Sequence, residues 1–223
     1  MKSTLMQNKE YLITLTKIRQ LILYSSIFQS LVKNIRVNTI HIKNYFGIRK
    51  LIVGSWDTYQ KGWISSDVDT LDITKDESWN KYFRHNSLTN IMAEHVWEHL
   101  DVEDGLLAIN LSYKYLKKGG KLRIAVPDGY HRNKSYLDYV RPNGPFHDQH
   151  YHKVLYNYKK LSKLLSRAGF KVDPLEYWDE KHEFHYYKWD TKDGLIRRSS
   201  RFDTRNSVNK LSYTSLIIDG IKP

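Results

Sequence analysis

The chain has 223 residues, of which 40% are hydrophobic and 13% aromatic, so it can bury one sizeable core and is too apolar to be disordered. It contains no cysteine, which excludes disulfides, thiolate metal sites and cysteine nucleophiles. The sequence shows no run of about 18 apolar residues and no signal-peptide pattern, so we expect a cytoplasmic protein without a membrane span.

The formal net charge of +12 is concentrated near the start of the chain. Residues 1–50 hold nine Lys or Arg and a single acid, Glu10, which is a balance of +8. Apolar residues recur there at helical spacing, which predicts a basic amphipathic helical segment over residues 1–48, ahead of a domain at 49–223. Two interpretations stay open. The segment is a cap on the sheet or on a second subunit of a homo-oligomer, or it makes a reversible contact with an anionic membrane surface or a nucleic-acid backbone.

The stretch LIVGSWDTYQKGWISSDVD at residues 51–69 predicts two buried strands around a short turn. Gly54 follows the first strand and lets the backbone approach a ligand closely. The second strand, around residues 63–68, ends near Asp67, where doubly wound α/β folds place an acid that holds a ribose. The full G-x-G-x-x-G pattern is absent, because Trp56 stands where a further glycine is expected, so an ordinary strand, turn and strand stays an alternative. A positive φ at Trp56 would be strained.

Strands and helices alternate through the rest of the chain. An apolar strand ends at Ala93, and a helix over residues 101–117 is expected to stop at Gly119 and its neighbouring glycine. KLRIAVPD predicts the next strand, and residues 157–168 a further amphipathic helix before a strand at 170–177. This alternation predicts a parallel sheet with covering helices.

Five pieces of the sequence, in this order, resemble one known family: VGSW…KGWISSDVD, NIMAEHVWEHL, YLKKGGKLRIAVPD, HKVLYNYKKLSKLLSRAGF and YTSLIIDGIKP. They are similar to class I S-adenosylmethionine-dependent methyltransferases, in particular to the small branch of predicted methyltransferases associated with glycan-assembly genes. The resemblance covers about residues 49–223. It implies a Rossmann-like α/β fold with a mostly parallel seven-stranded sheet and helices on both faces, S-adenosyl-L-methionine as cofactor, and a glycan or other small hydroxyl acceptor.

The resemblance also implies roles for individual residues. It places Gly54 and Ser55, with Trp56 after them, in the turn under the methionine part of the cofactor, and Asp67 at the ribose. Asp72 and Ile73 would lie by the adenine, and Glu94 and His95 would close the pocket at the end of the fourth strand. Val68 is a further expected cofactor contact.

Methyl transfer to a hydroxyl also needs a group that takes up the acceptor's proton, and histidine suits this at neutral pH. His152, in the segment HKVLY, is the preferred base; Asp128 is the alternative base or the group that orients it, and His95 is a further catalytic candidate. Aromatic and arginine residues between 180 and 206 indicate either an acceptor platform or a β-hairpin. The candidate acceptor contacts are His131, His150, Lys153, Tyr156 and Arg201.

Other functions fit parts of the sequence. HVWEH at residues 95–99 satisfies the H-x-x-E-H zinc-peptidase pattern, with Glu176 or Glu180 as a third ligand, but that interpretation leaves the neighbouring segments unexplained. His147, His150 and His152 are also metal-ligand types, yet we expect no metal and favour a solvated loop. A methyltransferase fold that acts only as a scaffold stays an alternative. An RNA methyltransferase is disfavoured because no N-P-P-Y-type motif follows the fourth strand, so nucleic acid is not an expected partner.

Overall fold

A computed structural model describes residues 26–56, 58–142, 144, 152–207 and 210–223. His147 and His150 therefore lie outside the described residues, whereas His152 is described. Residues 1–25 of the predicted basic segment also lie outside them.

The described residues form one seven-stranded sheet. Its strands are β1 (Lys50–Val53), β2 (Ile64–Ser65), β3 (Leu88–Glu94), β4 (Leu116–Pro127), β5 (Lys171–Trp178), β6 (Phe184–Tyr186) and β7 (Ser215–Ile221). Their spatial order is β2-β1-β3-β4-β7-β5-β6. The first four pair in parallel, whereas β7 is antiparallel to β4 and β5 and β6 is antiparallel to β5. The expected seven-stranded, Rossmann-like sheet is confirmed, but it is not purely parallel. Three of its six strand pairings, all on one side of β4, are antiparallel.

Five α-helices accompany the sheet in the described part of the chain. They are α1 (Ser26–Tyr45), α2 (Asp76–Asn80), α3 (Val102–Tyr115), α4 (Lys134–Val140) and α5 (Tyr158–Arg167). Side-chain caps begin α3 and α5, where Asp101 and Asn157 each accept a hydrogen bond from the backbone N–H three residues on. α3 packs on β4, α5 packs on β5 and β7, and the two helices touch each other, so they lie side by side. None of these helices combines the length and the apolar character needed to cross a membrane.

The two faces of the sheet are covered differently. A Cβ at Gly220 of β7 would meet Leu165 of α5 at 3.1 Å, so this face is the helical one. The preceding strand position, Asp219, points to the other face and receives two hydrogen bonds from the buried Arg123 of β4, at 2.7 and 2.8 Å. Arg123 also donates to backbone oxygens at 190 and 194, so an irregular segment covers this part of the sheet. Helical cover on both faces stays a prediction.

The end of α3 differs from the sequence prediction. The helix stops at Tyr115 because Leu116 is extended, with φ −69° and ψ 139°, and already pairs with Leu88 of β3. Gly119, with φ 74°, therefore lies inside β4 instead of terminating the helix. The predicted second strand is also shorter than expected, since only two of its residues pair with β1.

The chain divides into compact units between Thr39 and Ile40, inside α1. In the second unit Ile40 is fully buried, Lys43 Nζ donates to the carbonyl of Trp63 at 2.9 Å, and Asn44 Nδ2 donates to the carbonyl of Tyr82 at 2.6 Å. The last turns of α1 are thus part of the α/β domain. The predicted boundary after residue 48 stays a prediction.

Candidate functional site

A cavity of about 630 Å³ lies at the carboxyl ends of β1, β2 and β3. This is the edge at which open α/β sheets bind ligands, and the volume falls in the usual range of about 300–1,000 Å³ for cofactor and small-molecule sites. Ten of the residues proposed from the sequence line it: Gly54, Ser55, Trp56, Asp67, Val68, Asp72, Ile73, Glu94, His95 and His152. The structure brings them together; their individual roles stay predictions.

The turn after β1 depends on a glycine. Gly54 has φ 59°, and a Cβ there would stand 2.4 Å from Cγ2 of Val96. Ser55 then donates its backbone N–H to the carbonyl of Ser66 at 2.8 Å, which ties the turn to the end of β2. The glycine is therefore required by the backbone conformation and by the close approach of the loop after β3.

Trp56 adopts the strained conformation that its position implied. Its φ is 43°, and its side chain is 77% exposed at the rim of the cavity. The backbone N–H of Trp56 donates to Asp67 Oδ2 at 3.1 Å, an interaction that stabilises the turn in this conformation. An indole that is exposed here offers a flat apolar face to a bound ligand.

Among the described residues, two backbone N–H groups hold the carboxylate of Asp67 at the end of β2. Trp56 N–H reaches one carboxylate oxygen, and Val68 N–H reaches Oδ1 at 2.9 Å. Each carboxylate oxygen accepts more than one hydrogen bond, so both can accept a further bond from a ligand hydroxyl in the cavity.

Asp72 and Ile73 line the next part of the wall. Burial raises the pKa of Asp72, but hydrogen bonds from Thr74 and Lys75 outweigh burial and hold this pKa below its usual value. The Thr74 hydroxyl donates to Oδ1 at 2.7 Å, and Lys75 Nζ lies 2.9 Å from Oδ2. The carboxylate is therefore ionised at neutral pH.

Glu94 closes the end of β3 by binding a distant segment. Its two carboxylate oxygens accept the backbone N–H groups of Arg197 and Arg198, at 3.2 and 2.8 Å. This contact places both arginines in the cavity lining, although they are more than 100 residues away in sequence. Among the described lining residues there are four carboxylates, Asp67, Asp72, Glu94 and Glu98, against these two guanidinium groups. The cavity is acidic within a chain whose formal net charge is +12.

His95 is fixed by contacts of both ring nitrogens. It has φ 57°, Nδ1 lies 2.9 Å from Glu98 Oε1, and Nε2 lies 3.0 Å from the hydroxyl of Ser215 on β7. The segment after it forms a 3-10 turn at Trp97–His99, not an α-helix, so the two histidines of the H-x-x-E-H pattern lack the helical spacing of a peptidase zinc site.

His152 reaches the cavity because its segment is bonded to that turn. The backbone N–H of Lys153 donates to the carbonyl of Glu98 at 2.7 Å, and His152 Nδ1 lies 2.7 Å from the carbonyl of Val140. A carbonyl can only accept, so Nδ1 carries a proton, and in the neutral imidazole the lone pair is then on Nε2. One ligand-type atom from each of Glu98, His99 and His152 lies within 4.8 Å of the other two.

Glu98 is the most enclosed ionisable group of the cavity. Its side chain is 1% exposed. Burial raises its pKa, but the neighbouring His95 and His99 outweigh burial and hold the pKa below its usual value. Oε2 receives no hydrogen bond from any described residue.

Asp128 lies outside this cavity. It is fully buried at the end of β4, where its two oxygens accept the backbone N–H groups of Tyr130 at 2.9 Å and Trp178 at 2.8 Å. Burial raises the pKa of Asp128 to about 7, against the effect of these hydrogen bonds. The geometry suits a structural link between β4 and β5 and offers no contact to His152, in contrast to the expected role as base or orienting group.

His131 and Tyr156, expected to contact the acceptor, are also buried and do not line the cavity. The backbone N–H of Asn133 donates to His131 Nδ1 at 3.1 Å, and the ring stacks on Tyr136 with centroids 4.0 Å apart. Burial, with the charge of Arg132, lowers the pKa of His131 to about 4, so it is neutral. Burial raises the pKa of Tyr156 to about 12.

The expected acceptor platform is divided: Tyr186 and Tyr187 are exposed, whereas Trp189 is buried. Phe184–Tyr186 pairs with β5 as a hairpin strand, as the alternative interpretation held. Trp189 is buried between Arg123 and Arg201, whose guanidinium carbons lie 4.9 and 5.3 Å from its ring. Arg201 therefore packs on Trp189 and does not line the cavity, and neither does Lys153, whose Nζ lies 3.9 Å from Asp101.

Sequence reasoning missed several lining residues. Arg197 and Arg198 belonged to the platform but were not assigned to this cavity, and no local pattern signals the backbone contact with Glu94 that places them there. His99 and Glu98 were noted in the segment NIMAEHVWEHL and in the peptidase pattern, but were not assigned to this cavity. Their proximity to His152 comes from a hydrogen bond between distant segments.

No family model matches the chain, and no curated protein matches it. Solved structures are similar to it at low identity. A SAM-dependent methyltransferase from Archaeoglobus fulgidus is 18% identical with a TM-score of 0.43, over 86% of this chain and 92% of the other. One from Thermotoga maritima, titled a possible histamine N-methyltransferase, is 12% identical with a TM-score of 0.42, over 88% and 96%. Phosphoethanolamine N-methyltransferase 2 of Haemonchus contortus, in complex with S-adenosyl-L-methionine, is 13% identical with a TM-score of 0.43, over 85% and 52%. Similarity at this distance does not define an activity.

Proposed function

We propose that this protein is an S-adenosylmethionine-dependent O-methyltransferase that methylates a hydroxyl group, on a sugar of a glycan or glycolipid. The observation that carries the proposal is the position of Asp67. Its carboxylate lies at the end of β2, is held by two backbone N–H groups, and borders a cavity of about 630 Å³. Its remaining lone pairs suit the paired hydroxyls of a ribose.

The other lining residues fit the rest of the same cofactor. Exposed Val68 and nearly buried Ile73 offer apolar contact for a planar base, and Asp72 adds an ionised carboxylate beside them. The turn at Gly54 and Ser55 would contact the amino-acid part at the end of β1. S-adenosylmethionine, when bound, supplies an electrophilic methyl group on a positively charged sulfur.

The charge of the cavity favours a cationic ligand over an anionic one. Four carboxylates and two guanidinium groups line it among the described residues, so its formal charge is negative when the histidines are neutral. A sulfonium is attracted to such a site, whereas a dinucleotide with two phosphates is repelled. This separates the proposed cofactor from the nucleotides that other Rossmann-like proteins bind.

The acceptor side is formed by His152 and Trp56. His152 Nε2 keeps its lone pair because Nδ1 is bonded to the carbonyl of Val140, so it can accept a hydrogen bond from an incoming hydroxyl. Trp56 is exposed at the rim, where an aromatic face suits the apolar face of a sugar ring. These two features support a sugar hydroxyl as the methylated group.

Calorimetric titration with S-adenosylmethionine and S-adenosylhomocysteine tests the cofactor. Asp67→Asn should weaken binding about tenfold or more, since a hydrogen bond to a charged group is worth roughly 1.5–3 kcal/mol. Asp69→Asn is the matched control, because Asp69 lies in the same turn but not in the cavity lining. If neither ligand binds the wild-type chain, the methyltransferase proposal is refuted and the scaffold interpretation stands.

Transfer itself is tested with a radiolabelled methyl group and a panel of oligosaccharides. Each sugar is paired with its deoxy analogue, which lacks the hydroxyl in question. Labelling of the sugar and not of its deoxy analogue supports O-methylation. Labelling of both members of a pair contradicts the proposed acceptor group.

A further inference from the structure

We propose that Glu98, His99 and His152 form a binding site for one divalent transition-metal ion on the acceptor side of the cavity. One ligand-type atom of each residue lies within 4.8 Å of the other two, and all three residues line the cavity. This differs from the expectation of a metal-free site. It also differs from the zinc-peptidase pattern, because His95 is engaged with Ser215 and Glu98 and is not part of the group.

The carboxylate of Glu98 points to a ligand. It is 1% exposed, and Oε2 receives no hydrogen bond from any residue that the structure describes. A buried carboxylate that lacks a donor is costly, and buried charges are normally paired or bound to metal. His95 lies 2.9 Å from the other oxygen and so can hold the carboxylate in place from the far side.

His152 has the arrangement of a histidine ligand. Its Nδ1–H donates to the carbonyl of Val140 at 2.7 Å, which leaves Nε2 as the free lone pair. Histidines that bind metals nearly always donate their second nitrogen to a carbonyl or carboxylate in this way. The rings of His99 and His152 are 5.0 Å apart between centroids and inclined at 65°, so the two imidazoles are close without being stacked face to face.

The donor types select the metal. Two imidazole nitrogens and one carboxylate suit Zn²⁺, Co²⁺ or Mn²⁺, whereas Mg²⁺ prefers oxygen ligands. Bonds of about 2.1 Å would require the donor atoms to approach within roughly 3.4 Å of each other. Metal binding would therefore draw donor atoms that now lie within 4.8 Å of each other closer by up to about 1.4 Å. Three protein ligands leave at least one coordination position for water or for a substrate oxygen.

The chemical use of the metal rests on the proposed function. A bound metal would take up the Nε2 lone pair of His152, so the acceptor hydroxyl would then bind the metal instead of His152. A divalent cation lowers the pKa of a hydroxyl bound to it, which helps an acceptor to react at neutral pH. In the transfer the acceptor hydroxyl gives its proton to water, and its oxygen bonds to the methyl carbon as the carbon–sulfur bond breaks. The sulfur keeps the electron pair of that bond and becomes a neutral thioether.

The test is metal binding to the full chain, without S-adenosylmethionine. Protein stripped with EDTA and desalted is titrated with Zn²⁺ by calorimetry, and with Co²⁺ by visible absorption, which reports the coordination geometry. We expect one equivalent of either ion to bind and Mg²⁺ to give no signal. His99→Ala and His152→Ala should each weaken Zn²⁺ binding by about tenfold or more. His99→Gln replaces His99→Ala if the alanine variant does not fold.

A second group of ligand types, Asp179, Glu183 and His185, lies near the protein surface and provides the control. His185→Ala should leave the high-affinity Zn²⁺ equivalent unchanged. The inference is overturned if the wild type takes up no Zn²⁺ or Co²⁺, or if His185→Ala removes the binding and His99→Ala does not.

Titration of S-adenosylmethionine into the same metal-free protein separates the two proposals. Binding of the cofactor without uptake of metal overturns this inference alone. Uptake of metal without cofactor binding overturns the proposed function alone and leaves the metal site in place.

Discussion

Replacement of Gly54 by alanine should destabilise the domain through two separable effects. Gly54 has φ 59°, a left-handed conformation that costs a residue with a Cβ roughly 1–2 kcal/mol. The added Cβ would also stand 2.4 Å from Val96 Cγ2, far inside ordinary contact, and overpacking of this kind costs typically about 1–3 kcal/mol. We therefore expect Gly54→Ala to lower the free energy of unfolding by about 2–5 kcal/mol.

Gly62→Ala isolates the first effect. Gly62 has φ 81°, but a Cβ there would meet nothing within 4 Å. Both substitutions reduce the entropy of the unfolded chain equally, so that contribution cancels between them. The difference between the two variants should be the contact with Val96 alone, about 1–3 kcal/mol.

A double-mutant cycle with Val96→Ala identifies the contact. Removal of both γ-carbons of Val96 should recover about 1–3 kcal/mol in the Gly54→Ala background. The measurement is equilibrium unfolding in urea for the wild type, the single variants and the double variant, with the m-value checked for constancy. The reasoning fails if Gly54→Ala costs no more than Gly62→Ala, or if Val96→Ala restores nothing.

Three further predictions concern a buried acid, the acceptor side and the basic segment. Burial raises the folded-state pKa of Asp128 to about 7, above its unfolded value, so its contribution to stability is lost as pH rises from about 4 to 7. The free energy of unfolding of Asp128→Asn, measured in urea, should lack this part of the pH dependence. A pH profile parallel to that of the wild type would contradict the prediction. His152→Ala should lower methyl transfer by about 10²–10⁴-fold while S-adenosylmethionine affinity stays within a few-fold; full activity would remove His152 from the acceptor side. Residues 1–39 hold six Lys or Arg, and each basic residue near an anionic surface contributes about 1 kcal/mol of attraction. Deletion of these residues should therefore abolish co-sedimentation with anionic vesicles at low salt. Neutral vesicles should bind neither the full chain nor the truncated form. Equal sedimentation of both forms would leave the cap interpretation.

The truncation begins at Ile40 for a structural reason. Ile40 is fully buried, and Lys43 and Asn44 bond to carbonyls of the α/β domain. Removal of these residues would perturb the fold together with the charge, so a loss of vesicle binding could not then be attributed to the basic segment.

The local sequence determined much of the part of the cavity that we propose binds the cofactor. Gly54 and Asp67 were identifiable because a buried strand, a glycine turn and an acid after the next strand are close in sequence, and the turn geometry is set by neighbouring residues. The alternation of strands and helices likewise predicted the parallel part of the sheet. The end of α3 was misplaced because strand pairing with β3, a tertiary contact, competes with the helix before the glycines are reached.

Only the tertiary structure decided the part of the cavity that we propose binds the acceptor. Asp128, His131 and Tyr156 have residue types suited to catalysis, yet packing of β4 against the neighbouring segments buries them away from the cavity. Conversely, Glu98 and His152 are separated by more than 50 residues and meet because the backbone N–H of Lys153 bonds to the carbonyl of Glu98. Backbone hydrogen bonds of this kind depend on where the chain returns in space and not on side-chain identity, so no residue pattern in the sequence records them.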